Sequence, residues 1–167
     1  ERERALFHAS VKTVPQSRRV FNNTCVDLLS IASEMLEGEL LYRKGAFDKA
    51  FEHLRRSVVL SDELPYDEPW GWMQPARHAL GALLLEQGRV EEATGVYRAD
   101  LGLDDTAHRP CRHPDNVWAL HGYHECLVRT GLVDSAAEIA IRLEAANARI
   151  SVPVTSSCFC RTGDVAA

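Results

Sequence analysis

The amino-acid sequence predicts an all-α fold in which three helical hairpins stack as a right-handed solenoid. The first observation is that similar residues recur every 43 positions. They are the glycines Gly45, Gly88 and Gly131, the alanines Ala50, Ala93 and Ala136, and the acidic residues Asp48, Glu91 and Asp134. The second is that apolar residues recur at helical spacing on both sides of each of these glycines. Several residue types that agree on one period indicate a repeated supersecondary unit, and three units are about the minimum for a stable stack.

Six helices are predicted within a repeat domain that covers residues 23–150. They run from about Asn23 to Lys44, from Phe47 to Ser61, from Met73 to Gln87, and onward from Val90, Asn116 and Val133. Asn23 or Thr24 suits the N-cap of the first helix, because a short polar side chain there accepts a bond from a free backbone N–H. Gly88 suits the left-handed residue that closes a helix.

Two segments flank the repeat domain. Residues 1–22 predict one or two helical turns, and we expect them to continue from a longer chain. Residues 151–167 contain β-branched residues, Pro153 and Gly163, so they predict an extended tail with the sequence Ser-Ser-Cys-Phe-Cys in it. No polar capping helix follows the third hairpin, so we expect either the tail or another chain to cover the exposed end of the stack.

The net charge, the apolar runs and the cysteine count of the sequence narrow the classes of function that the protein can have. A net charge of −5 argues against nonspecific binding to nucleic acid or to an anionic membrane, which requires a clustered basic surface. No apolar run approaches the roughly 18 residues of a membrane span. The five cysteines are odd in number and irregularly spaced, which does not indicate a secreted disulfide framework. We therefore expect a cytoplasmic protein that binds neither nucleic acid nor membrane.

The repeated pattern G-x-[FV]-[DE]-x-A, following an amphipathic helix, resembles the tetratricopeptide repeat. The period is longer than the usual 34 residues or so, and the extra residues fall in loops 62–72 and 104–115. Residues 64–101 and 113–123, together with the Ser-Ser-Cys-Phe-Cys tail, resemble the C-terminal region of bacterial and fungal tetratricopeptide-repeat proteins. The third repeat departs from the pattern: His124 takes the place of the small residue, and Gly122 comes two positions earlier.

The resemblance implies that the first helix of each pair lines a concave groove. The residues that it places on or near this groove are Met35, Glu39, Tyr42, His78, His121, Glu125 and Arg129. The loop 62–72 adds Tyr66, Trp70 and Trp72, whose aromatic faces stand beside carboxylates and could hold a cationic ligand or fold over the neighbouring helix. His121 and Glu125 are four residues apart on one helix, so one metal ion or one hydrogen bond could use both.

Cysteine and histidine residues suggest two metal hypotheses. Cys158 and Cys160, on the tail, could chelate a soft or borderline divalent metal, with His121 as a further ligand, or form an easily reduced disulfide. They could equally dock as small apolar groups. The other cluster, His108-x-x-Cys111-x-His113, lacks the paired cysteines of a zinc module and is interpreted as a loop. We expect the tail to bring Phe159 towards Trp118 or Tyr123.

Two functions are consistent with these patterns. The first is a protein-interaction or scaffold module that binds a peptide or a partner chain through its groove and aromatic loops, with homo-oligomerisation through the uncapped repeat ends as a further possibility. The second is a metal-dependent or thiol-using enzyme, or a small-molecule binder of specialised metabolism, built on the same groove. The sequence contains no catalytic motif that identifies a catalytic residue, and this leaves enzyme activity open.

Overall fold

A computed structural model describes residues 1–161 of the chain. Within that range the chain forms seven α-helices, one short 3-10 helix and one ladder of two very short strands, so the predicted all-α class agrees with the fold. The residues fall into two compact units, Glu1–Ala76 and Arg77–Ala167. No helix in residues 1–161 is both long enough and apolar enough to cross a membrane.

Unit 1 contains three helices and the strand pair. Its elements are α1 (Arg2–Val11), β1 (Arg19–Val20), β2 (Asn23–Thr24), α2 (Cys25–Arg43) and α3 (Phe47–Asp62). The two strands pair antiparallel, which the sequence did not predict. Helix α1 is longer than the predicted one or two turns and has no buried residue. Side-chain bonds hold it instead: the Arg4 guanidinium donates to both carboxylate oxygens of Glu37, at 2.6 and 2.8 Å.

Helices α2 and α3 form the predicted first hairpin. The Thr24 side chain accepts a hydrogen bond from the Asp27 N–H and caps α2, as predicted. Gly45 has φ 77°, a left-handed conformation that reverses the chain between the helices. Gly38 lets the helices approach closely, because a Cβ at this position would lie only 2.7 Å from Leu54 Cγ.

Unit 2 contains the other two hairpins. Its helices are α4 (Ala76–Glu86), α5 (Val90–Leu101), α6 (Val117–Arg129) and α7 (Val133–Asn147), with a 3-10 turn at Arg109–Cys111. Helix α4 starts three residues later than predicted, because the residue before Pro75 is disfavoured in the helical conformation. The Asn116 side chain accepts from the N–H groups of Trp118 and Ala119, which fixes the start of α6.

The Tyr97 ring is the spacer between α4 and α6. Tyr97 is fully buried on α5, and a Cβ at either Gly81 or Gly122 would lie under 3.0 Å from its ring. Gly122 therefore makes room for a side chain of the preceding hairpin. This explains the early glycine in the third repeat, which looked like a departure from the repeat pattern.

Candidate functional site

The C-terminal segment from Val154 to Arg161 packs against α5 and α6 within unit 2. We call the place that it occupies the tail site, formed by Tyr97, Trp118, His121, Glu125 and Arg129. The segment is neither helix nor strand, and residues 162–167 of the predicted tail lie outside the described part of the chain. Ser157 is only 1% exposed and Cys158 is 6% exposed, so the centre of the segment is as buried as a core residue.

A buried hydroxyl pair anchors the centre of the segment. The Tyr97 hydroxyl donates a hydrogen bond to Ser157 Oγ at 2.6 Å. Burial raises the pKa of Tyr97, so the phenol keeps its proton and remains a donor. The preceding residue, Ser156, donates to the Cys158 carbonyl at 2.8 Å and closes a tight turn there. The two buried hydroxyl groups of the segment, those of Ser156 and Ser157, are therefore both hydrogen-bonded.

An aromatic contact follows. The Phe159 ring meets the Trp118 ring edge to face, with 4.7 Å between ring centroids. The prediction that the tail brings Phe159 towards Trp118 is therefore confirmed. Phe159 itself remains largely exposed, so its contact with Trp118 buries little of the phenylalanine side chain.

A carboxylate between two guanidinium groups holds the end of the segment. Arg161 Nη1 donates to Glu125 Oε2 at 2.6 Å, and Arg129 Nη2 lies 2.5 Å from Glu125 Oε1. The Arg161 side chain is only 3% exposed, so this ion pair is poorly screened by water. Glu125 thus balances one cation from its own helix and one from the tail. Arg161 Nε is also buried and has no hydrogen-bond partner in the described part of the chain.

His121 lies one helical turn before Glu125 and faces the start of the segment. Burial lowers the pKa of His121, while a hydrogen bond with the backbone of Val154 opposes that shift. The imidazole therefore stays neutral at physiological pH. Its backbone partner belongs to the tail, so His121, like Glu125, contributes to the tail site.

The two tail thiols are joined in a disulfide, Cys158–Cys160, with 5.2 Å between the Cα atoms. The Cys160 N–H donates to Cys158 Sγ at 3.2 Å. In residues 1–161 no group of three or more His, Cys, Asp or Glu side chains is placed to hold a metal ion. A soft metal held by Cys158, Cys160 and His121 stays a prediction, and it would require the reduced thiols.

Asp100 forms a buried cluster that the sequence did not reveal. It is 0% exposed, and its carboxylate oxygens bond His78 Nε2 at 2.9 Å and His113 Nδ1 at 2.8 Å. Burial by itself would raise the pKa of Asp100, but the hydrogen bonds and charges of the two histidines outweigh it and lower the pKa. The cluster ties the loop before α6 to α4, so His78 serves the packing of unit 2.

The remaining predicted groove residues lie in unit 1. Met35 and Tyr42 are buried, and burial raises the pKa of the half-buried Glu39. Tyr66 and Trp70 are exposed on the loop after α3. That loop is tied to the strand pair, because Asp67 accepts from the backbone N–H of Asn22 at 3.1 Å. Trp72 is half-buried, and its indole N–H is buried without a hydrogen-bond partner in residues 1–161.

The tail site and the segment docked in it together contain five of the residues that were chosen from the sequence: His121, Glu125, Arg129, Cys158 and Cys160. Sequence reasoning missed Tyr97 and Arg161 as members of the site. The buried position of Tyr97 in a repeat is typical of a packing residue, and nothing in the sequence pairs Arg161 with Glu125. The chain matches no protein-family model, no curated protein and no solved structure.

Proposed function

We propose that this chain is a helical-repeat interaction module of tetratricopeptide type, and that the tail site receives a peptide segment of a partner. The observation that carries the proposal is the docked tail itself: an extended stretch of chain lies against α5 and α6 through a hydroxyl bond, an aromatic contact and an ion pair. Helical-repeat proteins offer extended binding surfaces, which suit a segment that makes spaced side-chain contacts. The tail of the same chain then occupies the site as an intramolecular ligand, and a segment of the partner displaces it.

The spacing of the three contacts defines the partner. Ser157, Phe159 and Arg161 are alternate residues, so a peptide in the same conformation presents a small hydroxyl, an aromatic ring and a cation at every second position. The hydroxyl accepts from Tyr97, the ring covers Trp118 and the cation pairs with Glu125. A partner segment of the form hydroxyl-x-aromatic-x-Arg therefore suits the site.

Backbone geometry supports the tetratricopeptide relationship. Gly45, Gly88 and Gly131 all have left-handed φ angles, of 77°, 71° and 74°. In each hairpin the second helix starts two residues after this glycine, at Phe47, Val90 and Val133. The same turn at the same interval of 43 residues is what a repeated helical hairpin requires. On this basis we propose three repeats in one right-handed solenoid.

Direct peptide binding tests the proposal. The combined substitutions Ser157→Ala, Phe159→Ala and Arg161→Ala should release the tail and leave the site open. A labelled peptide with the sequence of residues 154–161 should then bind saturably in fluorescence anisotropy, and the addition of Glu125→Lys should abolish that binding. A scrambled peptide is the control. Absence of saturable binding at millimolar peptide, with circular dichroism unchanged, would refute the proposal.

A second copy of the chain is a further candidate partner. Helix α7 leaves Val133 75% exposed and Ile141 70% exposed, so the docked tail does not cover these two residues. Apolar side chains exposed on a terminal repeat favour association with another chain. Light scattering should show a mass above that of the monomer, and Ile141→Glu should return it to the monomer mass. A monomeric unaltered chain at high concentration would refute this assembly.

We also place the module in the cytoplasm, because its cysteine set lacks the framework of a secreted domain. In a reducing compartment a disulfide in a folded protein is usually transient, and it often senses or performs redox chemistry. Microscopy of the tagged chain tests the location. A chain recovered only from an oxidising compartment would refute this placement.

A further inference from the structure

The Cys158–Cys160 disulfide lies between the anchors that hold the tail. Ser157 precedes it, Phe159 is enclosed by it and Arg161 follows it. We propose that Cys158 and Cys160 form a thiol–disulfide exchange site for an external thiol, and that their oxidation state controls occupancy of the tail site. The second part rests on the proposed function. The substrate class is a low-molecular-weight thiol or a protein dithiol.

The reaction balances in two steps. An external thiolate attacks Cys160 Sγ, the bond between the two tail sulfurs breaks, and Cys158 Sγ leaves with the electron pair and takes up a proton. A second external thiol then attacks the mixed disulfide and releases the Cys160 thiol. The two external thiols are oxidised to one disulfide, and Cys158 and Cys160 are reduced to two thiols.

The geometry favours this direction of attack. Cys158 is 6% exposed, whereas Cys160 is half-buried, so the sulfur of Cys160 is the more accessible. The Cys160 N–H donates to Cys158 Sγ at 3.2 Å, and this bond stabilises the sulfur that leaves as a thiolate. The neighbouring thiol of Cys126 does not compete, because it is fully buried and burial raises its pKa to about 11.

The link between oxidation and docking is conformational. The disulfide closes a small ring through the backbone of Cys158, Phe159 and Cys160, and so restricts Phe159 near the conformation that meets Trp118. Reduction opens the ring, and docking must then order the backbone of Phe159 from a freer ensemble. We expect oxidation to favour docking by about tenfold, the factor for fixing roughly one residue. By thermodynamic linkage, docking of the tail must then shift the equilibrium between dithiol and disulfide towards the disulfide by the same factor.

A redox titration tests this reciprocity in the intact folded chain. Cys25→Ser and Cys111→Ser give a background without the other half-buried thiols. The chain is equilibrated with glutathione buffers, alkylated and weighed by mass spectrometry. Tyr97→Phe combined with Glu125→Lys, which together remove both polar anchors of the tail, should make the tail disulfide reducible at a glutathione ratio about tenfold less reducing. Tyr66→Phe, an exposed control, should leave the midpoint unchanged. Equal midpoints for the variant Tyr97→Phe, Glu125→Lys and the background would overturn the proposal.

Amide hydrogen exchange of residues 154–161 separates this inference from the proposed function. We expect protection in the oxidised chain and about tenfold less in the reduced chain and in the double variant Cys158→Ser, Cys160→Ser. Equal protection in the oxidised chain, the reduced chain and the double variant would overturn redox control, but it would not contradict the proposed peptide site. Absence of protection in the oxidised chain, with α5 and α6 protected, would overturn both. Circular dichroism confirms that the double variant is folded.

Discussion

Tyr97 Oη and Ser157 Oγ, 60 residues apart in sequence, form a 2.6 Å hydrogen bond in which both residues are buried. The bond joins the helix that sets the spacing of unit 2 to the segment 154–161. Because the Tyr97 ring is clamped between Gly81 and Gly122, its hydroxyl has one fixed direction. The position of Ser157, and of the residues after it, follows from that direction.

Removing the Tyr97 hydroxyl should loosen the tail while leaving the helices in place. In Tyr97→Phe the ring still fills the space between the two glycines, but the buried Ser157 hydroxyl loses its partner. We expect a loss of about 1–2 kcal/mol in the free energy of unfolding of unit 2. Urea denaturation measures it, with Tyr123→Phe as a control whose hydroxyl bonds Arg98 and not a residue of the tail. A Tyr97→Phe chain as stable as the unaltered one would contradict the expectation.

Glu125→Gln should release the end of the tail. The substitution removes the charge that pairs with Arg161, whose side chain is 3% exposed, and leaves a buried cation poorly compensated. We expect a cost of about 2 kcal/mol and faster tryptic cleavage after Arg161. Glu138→Gln on the exposed side of α7 is the matched control. Unchanged cleavage after Arg161 would show that the ion pair does not hold the tail.

Asp100→Asn should destabilise unit 2 in a pH-dependent way. The pKa of Asp100 is lowered in the folded chain, so its carboxylate stabilises the fold above the ordinary pKa of about 3.9 and loses that effect as pH falls through the folded value. At pH 7 we expect a cost of about 2 kcal/mol, because the negative charge is lost together with one of the two oxygens that accept from His78 and His113. The difference from the unaltered chain should shrink below about pH 4.

Urea titrations at pH 7, 5, 4 and 3, followed by hydrogen exchange of α5, measure this effect. Asp105→Asn is the matched control, because Asp105 is fully exposed on the loop that follows α5. A cost that is the same at all four pH values would mean that the Asp100 charge does not stabilise unit 2.

Docking of α1 should depend on the charge of Glu37. Hydrogen bonds from Arg4 and, more weakly, from His8 hold the pKa of Glu37 at about 2, although burial opposes them. This contribution is present above the ordinary pKa of about 4.3 and is lost as pH falls through the folded value. We expect hydrogen-exchange protection of α1 to fall from about pH 4 towards pH 2, and at pH 7 in Glu37→Gln. Glu3→Gln, on the exposed face of α1, should change neither.

Two glycines should respond to alanine in opposite directions. Gly88 has φ 71°, which alanine adopts with strain, so Gly88→Ala should cost about 1 kcal/mol. Gly95 lies inside α5 with open space around it, so Gly95→Ala should stabilise the helix by about 0.5–1 kcal/mol. Thermal denaturation of both variants measures the contrast. A change in melting temperature of the same sign in both variants would contradict a left-handed turn at Gly88.

Local signals in the sequence were sufficient for the helices. Thr24 and Asn116 are caps because their side chains act within three residues, and the turn glycines lie where a left-handed residue is needed. The contact of Phe159 with Trp118 could be expected because the alternating apolar residues Ile150, Val152 and Val154 suggested an extended segment against the last hairpin. These features depend on residues close in sequence or on simple apolar matching.

Long-range polar contacts could not be predicted. The partners of Asp100 come from α4 and from an irregular loop, and no periodic pattern brings them together. The spacing of His121 and Glu125 suggested that they act as a pair, but each contacts the tail separately, because the tail supplies a backbone group to one and Arg161 to the other. Contacts of this kind depend on where a non-helical segment turns, which the helical repeat does not determine.

The position of Tyr97 between two glycines also constrains how this protein can evolve. Substituting alanine for Gly81 or Gly122 alone would force a methyl group into the Tyr97 ring, so such a change requires a smaller residue at position 97 first. That smaller residue would lose the hydroxyl that bonds Ser157. A lineage that keeps its tail docked must therefore inherit all three residues together, whereas one that has lost the tail could accept phenylalanine at position 97 and keep both glycines.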